Sequence, residues 1–545
     1  MAQPQHFIAT SGAKDSVWVH TDPYSQRPRF PKLTRDLQAE VCVVGSGIAG
    51  VSTAYELVSR GVSVVMLEAR DVVSGESGRT SGHLSTDGFV DIAKKHGNDG
   101  AKAVAESYSW AIKRVGEISS KLGVDCEYRQ LPAYHISQYA RSDESHAKEV
   151  ESLKKEVSKA GELGLSASFE EGYAIKGWDG KIDQRDAAVF NQQATFHPTK
   201  YIKGVLAWLS EQSNFTCFTR TRVMSIEEKG VEILGIGSKD VRVSTLDGHT
   251  IICENAVEAT CIPLQKLSVV AQLEFMRTYC IAIRVPKGYI EDCLIYDVAS
   301  PYRYVRLTAC DEEDDYLVVG GCDHKVGQED ENGRFNELED WTRQRFTKAK
   351  TVDYKWSGQV LEPVDHVAMI GLNQGNSHIY IATGDAGNGL VHYVLGGKLI
   401  ADLITKTPNS WSSVYSPKRL ASIASSLPSM ISHDVQINAQ YKRFLQSDIS
   451  DIEDLAPGTG GVLNTKTSKP VAVYKDGEGK VSTFSALCPH LKGVVCWNGT
   501  EESWDCPIHG SRFSKDGVQV MGPAKAGLGP VDKEGEVRQQ QAVQG

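Results

Sequence analysis

The 545-residue chain has few of the features that mark a membrane protein or a secreted protein. Its longest apolar runs are short and broken by glycine or charge, as in GNGLVHYVLGGKLIADLI, and fall below the roughly 18 apolar residues of a membrane span. The N-terminus lacks the charged and then apolar pattern of a signal peptide and has too little arginine for a transit peptide. We therefore expect a cytoplasmic protein without a membrane span.

The chain also lacks a basic surplus, because 59 Lys and Arg stand against 69 Asp and Glu. Without such a surplus we expect no extended basic surface that could bind a phosphate backbone, and therefore no nucleic-acid partner. Most of the 12 cysteines are scattered singly, without the dense spacing of a disulfide scaffold, and are predicted to be reduced. Three of them, Cys488, Cys496 and Cys506, form a group near the C-terminus.

A glycine motif near the N-terminus predicts a dinucleotide site. The apolar run AEVCVV, residues 39–44, predicts a buried strand that ends at Gly45-x-Gly47-x-x-Gly50, and a helix is predicted over 48–59. These glycines permit a tight turn, close approach of a pyrophosphate and close helix packing. The start of the helix, with Ile48 and Ala49, offers free N–H groups to phosphates.

A second strand, VSVVML, then leads to Glu68, which lies 18 residues after Gly50. An acidic side chain at this place accepts hydrogen bonds from a ribose diol and repels a 2′-phosphate. The pattern therefore favours FAD or NAD over NADP, but it does not distinguish FAD from NAD. A bare glycine motif used for packing alone is the structural alternative.

The segment EARDVVSGESGRTSGHLS that follows resembles the D-amino acid oxidase superfamily of flavoenzymes, in which a Gly/Ser-rich turn with an arginine passes along the flavin. The resemblance implies FAD. It extends to TRVMSIE, where Val223 corresponds to a backbone contact with adenine. The residues that it assigns to the cofactor in the first segment are Ala69, Arg70, Gly75, Ser77 and Arg79.

A second strand, turn and helix unit resembles the closing flavin motif of that superfamily. A strand at 379–383 is followed by Gly384, Gly387 and Gly389 and by a helix that continues to about residue 404. The N-terminus of that helix could point at the flavin pyrimidine, where its dipole would stabilise the anionic reduced ring. The alternative is a packing unit with glycine at its turn.

Four metal-ligating residues occur in two pairs near the C-terminus. Cys488 and His490 form a C-x-H pair, and Cys506 and His509 form a C-x-x-H pair. Structural zinc sites usually place two cysteines in one knuckle and two histidines in the other, although zinc accepts these ligands. One of each in both loops suits a [2Fe–2S] cluster of Rieske type, with both cysteines on one iron and both histidines on the other.

The sequences CPH and CPIHGS resemble the loops of the Rieske family, and the alternating strands and glycine turns before them predict a small antiparallel domain. Cys496 has no partner cysteine in the second loop, since Ile508 stands there, so we expect no loop disulfide and a small buried Cys496. The family often places Ser and Tyr hydroxyls against cluster sulfur. Here Ser511 is present and Phe513 replaces the Tyr, which implies a middling to low potential within the Rieske range of roughly −150 to +300 mV.

Candidate substrate residues lie between the two motifs. Tyr302, Tyr304 and Arg306 alternate on a predicted strand and share one face, which could bind an amine bearing a carboxylate or could be ordinary sheet surface. The resemblance places His83 near the flavin ring, as a contact to N5, as a covalent attachment or as a structural histidine. No general base is assigned.

The combined fold is an α/β Rossmann-like FAD-binding domain with an inserted β-rich substrate domain, followed by a small all-β Rieske domain. The predicted divisions are an N-terminal extension, an FAD-dependent oxidoreductase domain whose substrate-binding part covers about 165–370, a linker with a short helix, the Rieske domain, and a disordered tail. In order along the chain, these five divisions span 1–36, 37–404, 405–440, 441–535 and 536–545.

Segments throughout the chain resemble flavin-dependent amine oxidoreductases with a C-terminal Rieske domain. The implied reaction is oxidation of a C–N bond in a small amine or amino acid, with electrons passing from FAD through the cluster to an unidentified acceptor. A reductase in which the cluster feeds the flavin, and a flavoprotein with a redox-sensing cluster, remain alternatives. We do not expect a Rieske oxygenase, because only some thirty residues follow Phe513 in this sequence, too few for its mononuclear iron domain.

Overall fold

The computed structural model describes residues 5–233, 236–264, 267–329, 331–419, 436, 439–464, 469–532 and 535. The predicted tail at 536–545 lies outside the described residues, as does much of the predicted linker. Across the described part of the chain, no helix combines the length and the apolar character that crossing a bilayer requires.

The first sheet carries the glycine motif. Its central strand, Leu37–Val44, runs parallel to Val64–Leu67 on one side and to Thr250–Glu258 on the other. The apolar half of the central strand is fully covered, as expected for a parallel strand with helices on both faces. The other strands of this sheet are Phe215–Phe218, Val223–Ile233, Ile236–Thr245, Met369–Leu372 and Ile379–Thr383.

The second sheet has nine strands and stands beside the first. It includes His83–Leu84 and Arg129–Ile136, which precede the predicted span 165–370, while strands between 215 and 258 within that span join the first sheet. The second sheet therefore does not coincide with the predicted span, because alternating apolar residues predict a strand but not the sheet that it joins. The remaining strands are Ala167–Glu170, Ala187–Thr195, Leu273–Pro286, Leu294–Asp297, Tyr304–Ala309, Asp314–Lys325 and Val352–Pro363.

Two helices position the glycine turns. The helix Ile48–Val58 follows the first motif and the helix Gly389–Ile404 follows the closing motif, each close to its predicted bounds. They pack tightly, because a Cβ on Gly397 would lie 2.5 Å from the carbonyl carbon of Ser52. The other α-helices are Gln5–Ala9, Phe89–Leu122, His146–Glu162, Pro198–Ser210, Leu267–Val270, Arg334–Arg345 and Ser412–Tyr415.

The C-terminal domain consists of two small antiparallel sheets. Its core contains Trp504 and Phe513 together with Cys488 and Cys506. The first sheet has three strands, Thr459–Leu463, Val471–Lys475 and Val481–Ser485. The second has four, Cys496–Asn498, Ser503–Asp505, Arg512–Ser514 and Gln519–Met521. Short 3-10 helices occur at Val17–Val19, Tyr24–Gln26, Glu76–Gly78, Gln440–Leu445 and Ile452–Asp454.

A buried group of charges joins this domain to the rest of the chain. Arg79 pairs with Glu501 at 2.7 Å, Arg277 lies 3.5 Å from Asp505, and Arg512 lies 3.3 Å from the same Asp505. All five side chains are almost completely buried. Burial alone would raise the pKa of Glu501, but the three arginines outweigh it and the pKa is lowered. We call these five residues the ionic junction.

The N-terminal extension completes the ionic junction. The hydroxyl of Thr10 and the carbonyl of Lys14 accept hydrogen bonds from Arg79, and the carbonyl of Ser11 accepts one from Arg512. The backbone N–H of Ala13 donates to Glu501 at 2.9 Å. Residues 10–14 therefore lie between the two domains.

The substitution Glu501→Gln tests the ionic junction. Removing one charge of a buried pair leaves the arginine without its counter-ion, so we expect the free energy of unfolding to fall by roughly 3 kcal/mol. The matched control is Glu502→Gln, next along the chain, because Glu502 forms an exposed pair with Lys515 and such pairs contribute about 0 to 1 kcal/mol. Guanidinium unfolding followed by tryptophan fluorescence gives both values. Equal decreases in the free energy of unfolding in the two variants would show that the ionic junction does not contribute more than an exposed ion pair.

Candidate functional site

A long cavity runs along the carboxyl end of the first sheet. Gly45, Gly47, Ile48 and Ala49 form one part of its wall. Gly45 has a φ of +109°, and a Cβ there would lie 2.3 Å from the carbonyl oxygen of Ala259. Only glycine therefore fits at this turn, and the start of the following helix favours an anion. The N–H of Ile48, predicted to be free for a phosphate, donates to the hydroxyl of Ser77 instead.

Glu68 lies at the end of the second strand, on the same cavity wall as Val223. Its carboxylate accepts hydrogen bonds from the N–H and hydroxyl of Ser46 and from the N–H of Arg70, at 2.8 to 3.0 Å. A carboxylate has about four acceptor positions, so one remains for a ribose hydroxyl. The predicted role of Glu68 fits this geometry.

The segment after the second strand lines the middle of the cavity. Ala69, Arg70, Gly75, Ser77 and Arg79 all contribute to the wall. The hydroxyl of Ser77 accepts a hydrogen bond from the N–H of Ile48 at 3.0 Å, which brings this turn to the first helix. Arg79 lines the cavity while its guanidinium is held by Glu501, so the same side chain contacts the cofactor cavity and the C-terminal domain.

The closing turn forms the opposite wall, with Gly387 and Gly389 at the start of the second helix. Gly387 has a φ of +70°, and a Cβ there would lie 2.9 Å from the hydroxyl of Tyr302. Two predicted cofactor residues lie behind the wall instead of on it. Gly50 packs against Gly45, and Gly384 packs against Pro363.

His83 lines the cavity, but both of its ring nitrogens have protein partners. Nδ1 lies 2.9 Å from the hydroxyl of Ser81 and Nε2 lies 3.2 Å from the carbonyl oxygen of Val305. Burial, with a smaller contribution from Arg306, lowers the pKa of His83 to about 3. This geometry favours the structural role over covalent attachment of a flavin.

The predicted shared face of Tyr302, Tyr304 and Arg306 is not formed as expected. Tyr302 precedes the strand, which begins at Tyr304, and both tyrosines line the cavity. Arg306 instead donates hydrogen bonds to the carbonyls of Gly82, Phe196 and Leu307. These backbone oxygens hold the guanidinium away from the cavity, so contact with a substrate carboxylate is not supported.

Several cavity residues had no signal in the sequence. Asp87, Asp323 and Asp385 line the wall, and Tyr296 and Gln359 do as well. Burial raises the pKa of Asp385 to about 7, although the N–H groups of Leu361 and Gly387 donate to its carboxylate. Apart from Asp385, which lies within the closing glycine turn, these residues belong to no motif, because they come from separate strands and loops that only the tertiary fold brings together.

The four predicted metal ligands form two pairs between two loops of the C-terminal domain. Cys488 and Cys506 are neighbours, and the interaction between their thiols lowers the pKa of Cys488 to about 7. The rings of His490 and His509 have centroids 5.1 Å apart. Among the described residues, no three His, Cys, Asp or Glu side chains converge as ligands of a single ion would, whereas a [2Fe–2S] cluster needs two at each iron.

The surroundings of these ligands also suit a sulfur-rich cluster. Backbone N–H groups at His490 and Leu491 point toward the Cys488 sulfur, and those at Ile508 and His509 point toward Cys506. The Ser511 hydroxyl accepts the N–H of Ala524 at 3.0 Å and donates toward Cys488.

The other two sequence predictions for this domain concern Phe513 and Cys496. Phe513 is fully buried in the same core as the ligand cysteines. Cys496 is a free cysteine whose thiol donates to the carbonyl of Gly327 at 3.0 Å, so no loop disulfide forms.

The cavity and the ligand loops are in contact. The strand residues Gln519, Val520 and Met521 of the C-terminal domain, with Gly522, line the cavity. Gln359 also lines it and donates its amide to the carbonyl of Gly510, next to His509, at 3.2 Å. The side chain of Gln359 therefore reaches from the cavity to the ligand loop.

Two family models match the chain. The model described as FAD dependent oxidoreductase covers residues 40–403, and the model described as Rieske [2Fe-2S] domain covers residues 447–532. The chain belongs to the FAD-dependent oxidoreductase family. It carries a C-terminal Rieske domain, and its cofactors are FAD and a Rieske [2Fe–2S] cluster, which confirms the predicted fold class and cofactors.

Two curated relatives and one solved structure agree with this assignment. The Bacillus subtilis (strain 168) Rieske 2Fe-2S iron-sulfur protein YhfW is 26% identical over 535 residues and covers 97% of this chain and 99% of that protein. The γ-glutamylputrescine oxidoreductase of Escherichia coli (strain K12) is 25% identical over 396 residues, 69% of this chain and 85% of that protein. Glycine oxidase from Geobacillus kaustophilus shares the fold with a TM-score of 0.56 at 15% identity, over 70% of this chain and 99% of that one.

The substitution Gly50→Ala tests the nucleotide turn. A Cβ at Gly50 would lie 1.9 Å from the carbonyl oxygen of Gly45, a backbone atom that cannot move without distorting the turn. We expect the purified variant to retain far less FAD than the natural protein, measured by flavin absorbance per chain. Gly161→Ala is the control, because Gly161 is a helical glycine with open space around it. This substitution should raise the free energy of unfolding by roughly 0.5 to 1 kcal/mol and leave the FAD content unchanged. Full FAD content in Gly50→Ala would refute this account of the turn.

The substitution Phe513→Tyr tests the predicted cluster potential. A hydroxyl that donates to cluster sulfur would stabilise the reduced cluster by roughly 1 kcal/mol, which is about 40 mV for a one-electron couple. We expect the midpoint potential to rise by about that amount in a potentiometric titration. Phe484→Tyr, in the three-stranded sheet, is the control. A midpoint potential near the top of the Rieske range in the natural protein would contradict the prediction.

Proposed function

We propose that this FAD-dependent oxidoreductase oxidises a C–N bond of a small amine or amino acid, and that electrons pass from FAD through the Rieske cluster to an external one-electron acceptor. The protein is proposed to act in the cytoplasm. FAD supplies the two-electron oxidation, and the cluster supplies one-electron transfer.

The contact between the two sites carries the electron-transfer part of the proposal. Gln519 forms part of the cavity wall and accepts a hydrogen bond from Arg222 at 2.9 Å. In the ligand loop itself, the carbonyl of Gly510 accepts a hydrogen bond from the amide of Gln359, which lines the cavity. The C-terminal domain therefore forms part of the cavity wall, and its ligand loop lies one side chain from the cavity, which supports electron transfer between the two cofactors.

The two histidine ligands differ in their surroundings. His509 is buried and lies edge-on to Phe275 of the oxidoreductase domain, with ring centroids 6.1 Å apart. His490 is half-buried, next to the exposed Leu491 and Lys492. The cluster thus has one histidine toward the flavin domain and one toward the surface, as a relay between substrate and an external acceptor requires.

The proposed reaction balances without a further co-reactant. Converting a CH–NH unit to an imine removes two electrons and two protons. Water then adds to the imine and the amine or ammonia leaves, giving an aldehyde or an oxo acid. The two electrons leave the protein singly to the acceptor. The likeness to a γ-glutamylputrescine oxidoreductase supports an amine substrate but does not identify it.

Anaerobic stopped-flow spectroscopy tests the direction of electron flow. A panel of amines and amino acids is mixed with the protein carrying both cofactors, and flavin and cluster absorbance are followed together. We expect one compound to bleach the flavin first, with a Rieske-type paramagnetic signal appearing afterwards. If no compound reduces the flavin but chemically reduced cluster passes electrons to it, the protein is a reductase. If the flavin is reduced and the cluster never follows, the cluster is a sensor.

Gln359→Leu tests the contact between the sites. Loss of the amide removes the hydrogen bond to Gly510, so we expect cluster reduction to lag further behind flavin reduction and the paramagnetic signal to shift. Gln328→Leu is the matched control, since Gln328 donates to the carbonyl of Pro507 in the same loop at 3.0 Å and does not line the cavity. An equal delay of cluster reduction in both variants would show that the contact of Gln359 with Gly510 has no particular role in electron transfer.

A further inference from the structure

One end of the cavity is acidic and is bounded by aromatic side chains. Its walls come from the segment after His83, from the start of the strand Tyr304–Ala309 and from the strand that carries Asp323. Asp87 and Asp323 both line it and are half-buried. Tyr302 lies within electrostatic range of both carboxylates, which therefore border the space around its ring without acting on each other.

These two carboxylates lack cationic partners. No hydrogen bond or ion pair joins the Asp87 carboxylate to another residue in the part of the chain that the structure describes. One oxygen of Asp323, Oδ1, is shielded from solvent and accepts no hydrogen bond. Burial raises the pKa of each to about 6, as expected for a carboxylate that is desolvated with no cation beside it.

The cations of the cavity are committed elsewhere. Among the described residues that line it, these are Arg70, Arg79 and Arg222. Arg70 and Arg222 interact with Glu68 at the adenosine end, and Arg79 is paired with Glu501. Arg306, the candidate for a carboxylate contact, is held by backbone carbonyls. Arg306 does not line the cavity, although its charge acts on Tyr296 and His83. Among the described residues that line the cavity, no lysine or arginine is therefore left at the acidic end to receive a substrate carboxylate.

Three tyrosines complete this end. The rings of Tyr296 and Tyr302 have centroids 6.5 Å apart, and those of Tyr302 and Tyr304 are 5.7 Å apart. Tyr296 is 5% exposed, and its buried hydroxyl lies near the side chain of Ser85 without forming a well-aligned hydrogen bond. Tyrosine faces attract cations and pack on methylene groups, and the buried hydroxyl offers a polar contact that the protein itself does not use.

We propose that this end of the cavity binds the substrate as a protonated alkylamine or diamine without a carboxylate, with Asp87 and Asp323 as its anionic partners and the three tyrosines around its carbon chain. The inference rests on the proposed amine oxidation and narrows its substrate class. An ammonium group supplies the positive charge that the two buried carboxylates lack, whereas an α-carboxylate would add a third negative charge to the same space.

Ligand binding to the FAD-loaded protein tests the proposal without relying on turnover. Butylamine, putrescine, γ-aminobutyrate and alanine are titrated under anaerobic conditions while the flavin spectrum is followed. We expect the two amines to bind at least about tenfold more tightly than the two carboxylate-bearing compounds, since a tenfold ratio corresponds to about 1.4 kcal/mol. Tighter binding of alanine would overturn the proposal, and this ranking requires no variant.

The substitutions Asp87→Asn and Asp323→Asn, measured separately, assign the contacts. Each should weaken amine binding by about tenfold and leave alanine binding unchanged or improved. Asp292→Asn is the matched control, because Asp292 forms an exposed pair with Arg129 and does not line the cavity. Flavin content and thermal melting show whether a variant has folded. If one variant loses FAD, amine binding by the other variant tests the proposal.

The outcomes separate this inference from the proposed function. Amines that bind through the two aspartates but never reduce the flavin would sustain the cationic site and reject amine oxidation. Amines that reduce the flavin with affinities insensitive to both substitutions would sustain the oxidation and reject the site.

Discussion

The buried pair between Arg79 and Glu501 is the contact on which the two-domain arrangement depends. Arg79 comes from the turn that lines the FAD cavity, and Glu501 comes from the Rieske domain. Two charges this deeply buried tolerate little displacement, because an unpaired charge in the interior costs several kcal/mol. The pair adds little net stability over an apolar contact, but it penalises every other docking position. Its main effect is therefore to fix one relative placement of the domains.

The rest of the ionic junction transmits this placement to the cluster. Asp505 directly precedes the ligand Cys506, and Arg512 follows the loop that carries His509. Arg277 of the second sheet lies against Asp505, so both ends of the ligand loop are held by the contacts that join the domains. A change in docking would thus move the loop, and a change in the loop would disturb the docking.

The predictable parts of this protein are those encoded by local spacing. Gly45, Gly47 and Glu68, and the four metal ligands, follow short patterns whose chemistry requires those residue types, and the structure brings each set together. Arg306 shows the limit, since alternation correctly predicts a strand but does not tell whether the guanidinium meets a substrate or a backbone carbonyl. The same limit applies to Glu501, 422 residues from Arg79 along the chain, and to the acids of the cavity.

Fixed docking also bears on how electrons would leave the protein in the proposed reaction. The ligand loops are tied to the oxidoreductase domain at three places, through Gln328 to Pro507, Gln359 to Gly510 and Cys496 to Gly327. A Rieske domain held in this way has no need to swing between a donor and an acceptor. Of the four ligands, His490 is the one with appreciable exposure. An external acceptor would then approach on the His490 side, while the flavin side remains closed by the contacts that hold the domains together.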